Sequence, residues 1–165
     1  MTATEAKIVA DFLTGDFAYE MQTTLKVLAA APADRLGYTP DGKSKTGLGL
    51  IRHLPIEDAW LLDSIADGAF APPPDDSDAC GIMTPDDAVA YYKEKVFTAL
   101  DRVKAMSAEQ LAAPIDFFGM MNLPAVNYIS LAMKHSVHHR GQLSAYLRPM
   151  GGKVPGIFGP SGDSQ

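Results

Sequence analysis

Lys134-His135-Ser136-Val137-His138-His139-Arg140-Gly141-Gln142-Leu143 holds three of the four histidines in the chain. His135 and His139 are four residues apart. On an α-helix that step stacks two side chains on one face, with Cβ atoms about 5–6 Å apart. Metal–imidazole bonds of about 2.0–2.1 Å let two rings so placed reach one ion. His138 follows His135 by three and competes for that face. It also adjoins His139, about 100° round the helix, so these two cannot both point squarely at one ion. The four-residue step stacks better, which selects His135 with His139 and leaves His138 to pack or hydrogen-bond nearby. The fourth histidine, His53, sits in a separate helical pattern. Spacing alone leaves two readings open. In one, His53, His135 and His139 bind one divalent metal ion, and three protein ligands leave a position for water or substrate. In the other, the last helix carries polar histidines and His53 is a satisfied core residue.

Outward from that stretch, the apolar residues Val126, Ile129, Leu131, Met133, Val137, Leu143, Ala145 and Leu147 predict a well-buried helix from about Leu123 or Pro124 to Leu147. Pro149 and Gly151-Gly152 end it, and the tail from Lys153 to Gln165 is expected to be irregular. A first helix is expected from Thr4, as N-cap, to about Ala30, with Val9, Phe12, Leu13, Phe17, Met21, Leu25 and Leu28 at a period near 3.6. A second runs from about Thr46 to Ala66 and carries His53, Glu57 and Trp60 on one stripe. Pro55 lies inside it and cannot donate to the Ile51 carbonyl, so a kink or a helix start is expected there. Asp67 to Met83 reads as a long loop, mobile or a pocket wall. A third helix opens at Thr84-Pro85-Asp86-Asp87 and runs to about Ala105. Ser107 to Gln110 is a capping box. Pro114 to Leu123 is either a short strand pair or an apolar flap. Four helical segments predict an all-α, up-down four-helix bundle with long loops, a single domain over residues 1–165.

The composition excludes several classes. A formal charge of −6 argues against a nucleic-acid surface. Cys80 is the only cysteine, so a multi-cysteine zinc site and an internal disulfide are out, as befits a reducing compartment. No basic, apolar leader opens the chain and no run is apolar enough for a membrane span. The expectation is a cytoplasmic protein. No phosphate-binding glycine motif and no nucleophile elbow occur. The run Asp75-Asp76-Ser77-Asp78 lacks calcium-loop spacing and reads as a solvated loop.

Other residues could serve the site. Glu57, four after His53, could orient that ligand, act as a base, or be solvated. Gln142, three after His139, faces the same way and could hold a water or make a buried amide bond. Arg140 and Arg148 read as surface charges, with both available to an anionic substrate at a pocket rim. Trp60, Tyr128 and Tyr146 read as core, and any one of them could line the site.

The stretch His135 to Leu143, followed by Tyr146-Leu147-Arg148-Pro149-Met150-Gly151-Gly152-Lys153-Val154-Pro155 and Gly159-Pro160-Ser161, resembles the DinB family of four-helix-bundle metalloproteins, also called DinB/YfiT-like. The likeness extends back to Ile51-Arg52-His53-Leu54 and Trp60-Leu61. It covers nearly the whole chain and is strongest from Tyr128 onward. The resemblance implies a divalent ion such as nickel or zinc on His53, His135 and His139, and a homodimer. Relatives in that family include thiol-dependent S-transferases and isomerases that use bacillithiol, mycothiol or glutathione. It therefore implies a small-molecule substrate, a low-molecular-weight thiol as cosubstrate, and a metal-dependent enzyme of transferase or hydrolase-like type. The alternative is a non-enzymatic metal-binding stress-response protein in which the ion braces the bundle. The three-histidine count weighs against that, because structural sites commonly fill four positions from the protein.

Overall fold

The computed structural model describes Met1 to Asp163. The expected irregular tail is irregular as far as Asp163, and Ser164 and Gln165 lie outside the described residues. The elements are α1 (Ala3–Ala29), α2 (Gly47–Asp67), α3 (Pro85–Tyr91), α4 (Phe97–Lys104), α5 (Ala108–Ala112), β1 (Pro114–Phe117), β2 (Met121–Pro124) and α6 (Ala125–Leu147). A π-helical turn over Tyr92–Val96 joins α3 to α4, so the three together make the third long helix of a four-helix bundle. The bundle is closed chiefly by α2 and α1 packing on α6, with α4 against α2. Among the described residues no helix is long and apolar enough to cross a membrane.

The N-cap of helix α1 lies two residues before the expected one. Thr2 accepts from the Glu5 amide and Glu5 accepts from the Thr2 amide, a reciprocal capping box. Its buried face is also rotated from the expected one. Ala6, Ala10, Thr14, Phe17, Met21, Thr24 and Leu28 face inward, whereas Phe12 is 72 % exposed. The apolar bulk of Val9 and Phe12 misleads the pattern, because small residues give α1 its close approach to the bundle. The Thr14 and Thr24 hydroxyls, buried on that face, donate back to the carbonyls of Ala10 and Glu20.

Helix α2 starts at an N-cap on Thr46, whose Oγ1 accepts from the Gly49 amide at 3.0 Å. Gly68, at φ 71°, closes it in the left-handed conformation. Pro55 does not start a helix: α2 runs through it without interruption. The proline removes one backbone bond to Ile51. Pro55 is itself buried, and Leu54, Ile56, Leu61 and Leu62 around it pack into the core. Tertiary burial thus outweighs the local penalty.

The stretch from Pro114 is a strand pair. β1 and β2 are antiparallel, with Phe117 opposite Met121. Its tip is a turn in which the Met120 amide donates to the Phe117 carbonyl, with Phe118 at φ 52° and Gly119 at φ 72°. Asp116 accepts from the Gly119 amide and steadies the turn. The hairpin is fastened to α6 by Tyr128, whose hydroxyl donates to the Ile115 carbonyl at 2.8 Å. Phe70, Phe117, Phe118, Tyr128 and Trp60 form a chain of ring contacts there.

The loop after α2 is pinned rather than loose. Arg52, buried on α2, donates from Nε to the Ile82 carbonyl at 2.7 Å and pairs from Nη1 with Asp78 at 2.6 Å. Asp75 caps the Ser77 amide. The acidic run is therefore not a plain solvated loop: two of its carboxylates, Asp76 and Asp78, hold α2 side chains.

Candidate metal centre

The antiparallel packing of α2 on α6 brings His53 to the His135–His139 pair. One nitrogen from each of the three rings lies within 4.8 Å of the others, and all three residues are half-buried. Ring centroids stand 4.4 Å apart for His53 and His139, 4.4 Å for His135 and His139, and 5.4 Å for His53 and His135. His138 turns away from the cluster centre, with its Nε2 3.2 Å from the Gln142 amide nitrogen.

Hydrogen-bond partners hold the outward nitrogens of two of the rings. Asp76 Oδ2 lies 3.1 Å from His53 Nδ1 and accepts from Lys45 Nζ at 2.8 Å. The Lys45 ammonium holds the Asp76 carboxyl below its usual range, so it is an acceptor only and His53 Nδ1 carries the proton. On α6, Gln142 presents its amide nitrogen to His138 and its Oε1 to His139 Nδ1 at 2.8 Å. The Nε2 atoms of His53 and His139 face each other at 3.2 Å. With His53 Nδ1 protonated, its Nε2 is a lone pair aimed at the His139 ring.

The gap suits a metal ion. Two nitrogens bound tetrahedrally at about 2.0–2.1 Å stand roughly 3.3 Å apart. A proton is the poorer occupant. Burial, then repulsion from the neighbouring imidazoles, pushes His53 and His135 down to about 4 and lowers His139 too. His135 Nδ1 is, moreover, buried with no hydrogen-bond partner among the described residues. A neutral three-imidazole set with outward nitrogens held by a carboxylate and an amide is a donor set for zinc, nickel, copper or iron.

Several residues differ from their sequence reading. Arg140 is not at a pocket rim. It is 1 % exposed, lies 2.5 Å from Glu20 Oε2 as an ion pair, and donates to the Glu20 carbonyl at 3.1 Å. It ties α6 to α1. An arginine on a helix rich in polar residues looks like a surface charge until its partner on α1 is known. Arg148 does lie at the surface, paired with Asp163. Tyr146 is buried edge-on against Tyr38, with centroids 5.3 Å apart. Glu57 is half-buried one turn below His53, and burial, then the Asp76 charge, raises its carboxyl. Trp60, two turns below His53, stacks edge-on with Phe70 and donates from Nε1 to the Ala71 carbonyl.

Sequence reasoning missed Asp76 and Asp58. Asp76 lies in a run whose polarity fits any loop. Asp58 is fully buried between α2, the π turn and α6, with no periodic signal to mark it. A group of exposed apolar residues was missed too: Ile8, Phe12 and Tyr19 line the outer side of α1 at 66 %, 72 % and 65 % exposure.

Comparison with known structures agrees with the fold. A DinB-like protein of Bacillus subtilis, YjoA, superposes with a TM-score of 0.71 at 19 % identity, covering 90 % of this chain and 99 % of that one. A DinB-like protein of Bacillus cereus ATCC 10987 gives 0.72 at 23 % identity, covering 88 % and 95 %. A mycothiol-dependent maleylpyruvate isomerase gives 0.60 at 14 % identity, covering 87 % of this chain and 61 % of that one. At these identities the likeness is one of fold. No curated protein matches the chain. The sequence signature of the DinB family spans residues 12–163, from the first helix through the glycine-rich tail, and on that match the chain belongs to the DinB family.

Proposed function

We propose that His53, His135 and His139 bind one divalent metal ion, nickel or zinc, and that the chain is a metal-dependent enzyme of thiol-dependent S-transferase or isomerase type. The carrying observation is the convergence of one nitrogen from each of His53, His135 and His139 within 4.8 Å, with the outward nitrogens of His53 and His139 held by Asp76 and Gln142. When bound, such an ion supplies Lewis acidity and a fixed positive charge. The chain's own residues do the rest. Asp76 and Gln142 hold two rings in register. Glu57 keeps its proton to higher pH than an ordinary carboxylate and stands one helical turn from His53, a position for proton transfer. Trp60, Phe70 and Phe117 offer an apolar aromatic surface to a small-molecule substrate about two turns, roughly 10 Å, along α2 from His53. A low-molecular-weight thiol is the cosubstrate; the mycothiol-dependent isomerase of similar fold supports that class.

The reading extends to assembly and place. The chain acts as one cytoplasmic domain, and a second copy covers the outer side of α1 through Ile8, Phe12 and Tyr19, giving a homodimer.

The test supplies purified protein, made without a nickel-affinity tag, with zinc or nickel, several cellular thiols and a generic electrophile. Turnover that disappears in H53A supports the reading. Elemental analysis showing no stoichiometric metal, or equal turnover by wild type and H53A, overturns it. Large metal stabilisation with no turnover for any thiol would favour a bracing ion instead.

A further inference from the structure

The bundle core holds a polar node that the site chemistry does not use. Asp58 of α2 is fully buried. Its Oδ2 accepts from the Tyr92 hydroxyl at 2.9 Å and from the Ser136 hydroxyl at 2.6 Å. Tyr92 opens the π turn of the third bundle helix, and Ser136 is the residue after His135 on α6. The buried Thr24 hydroxyl of α1 also faces the Tyr92 oxygen. Three bundle helices therefore meet at one carboxyl group, and α1 joins them through the Tyr92 oxygen. A π turn commonly marks a place where a helix has been locally widened for function, and here it starts at the residue that reaches Asp58.

We propose that Asp58 is a positioning residue for the three-histidine centre, fixing the rotation of α6 against α2 through Ser136 so that His135 meets His53. The inference rests on the metal reading given above. The argument is one of leverage. His53 and Asp58 lie on α2, and His135 and Ser136 are adjacent on α6. A short bond between Asp58 and Ser136 sets the azimuth of α6 one residue from a ligand, whereas apolar packing tolerates small rotations. Few groups compete for Asp58. The charges that act on it are Glu57 on its own helix and Arg140 on α6, and Arg140 is engaged by Glu20. Oδ1 is buried with no hydrogen-bond partner among the described residues. Two donors converge on Oδ2, and asparagine reproduces that acceptor.

The experiment measures Co(II) binding by chelator competition and by visible absorption for wild type, D58A, D58N and S136A, each at a temperature well below its own melting transition. D58A should bind Co(II) at least about tenfold more weakly, in the range seen for outer partners of metal ligands, with altered absorption bands. D58N should return affinity to within about threefold of wild type, with the original bands. Wild-type affinity and bands in D58A, or no rescue by D58N, would overturn the proposal. Should D58A not fold, S136A takes its place: weakened binding with altered bands supports the proposal, and wild-type behaviour overturns it. The metal reading fails separately, if wild type and H53A bind Co(II) alike.

Discussion

His53 Nε2 and His139 Nε2 face each other at 3.2 Å, while their Nδ1 atoms are held by Asp76 and by Gln142. Ring orientation on both sides is set from outside the trio, by a loop carboxylate on one side and by a helix amide on the other. Removing either brace frees a ring to turn. D76A should therefore weaken metal binding by about 10–100-fold, and Q142A by a similar factor. Competition against a chelator of known affinity checks both. An unchanged affinity in D76A would mean that packing alone orients His53.

Acid should destabilise the metal-free protein through the same three rings. His53 and His135 sit at about 4 in the fold against 6.5 when free, and His139 is lowered as well. Between those values the unfolded chain binds more protons, so stability rises with pH there. The contribution is complete above about 6.5 and is lost as pH falls through about 4. Urea unfolding of the metal-free protein from pH 4 to pH 7 checks this. The slope should shrink in the H53A/H135A double variant.

Asp58 works in the opposite direction. Burial pushes its carboxyl from 3.8 to about 7, against the pull of its two hydroxyl donors. The unfolded chain releases that proton first, so the contribution is whole below about pH 4 and is lost as pH rises through about 7. Holding a proton to about pH 7 rather than 3.8 corresponds to roughly 4 kcal/mol between the two protonation states. D58N should therefore gain stability relative to wild type as pH rises from 5 to 8. Parallel stability curves for the two proteins would contradict this.

The buried pair of Arg140 and Glu20 should be costly to break. Arg140 has 2 % and Glu20 11 % of side-chain surface exposed. Removing one partner leaves a charge in the core, a loss of about 3–5 kcal/mol. R140A should unfold at a much lower denaturant midpoint. R140M, which keeps most of the side-chain volume, still strands Glu20 and should recover only the packing part of the loss.

Much of this was legible in the sequence because it repeats locally. The 3.6-residue period gave the long helices, and Thr84-Pro85 with Asp87 marked the start of α3. The four-residue step from His135 to His139 carries its own geometry, and His53 joined the pair through the family resemblance of its segment. Long-range partnerships left no such trace. Nothing in Arg140 announces Glu20, 120 positions earlier. Nothing in the acidic run singles out Asp76 for a histidine 23 residues back. The π turn is equally silent, because Tyr92-Lys93-Glu94-Lys95-Val96 suits an ordinary helix. The buried face of α1 was misplaced for a different reason: alanine and threonine fit a tight interface, yet hydrophobic weight points to Val9 and Phe12.

Neighbouring residues on α2 grip neighbouring parts of one loop: Arg52 takes Asp78 and the Ile82 carbonyl, and His53 takes Asp76. The segment after α2 is consequently a harness for the first of the three rings, and its length matters less than where its carboxylates fall. A one-residue insertion between Asp76 and Asp78 would put the two grips out of step, leaving all three imidazoles in the sequence while unfastening one of them.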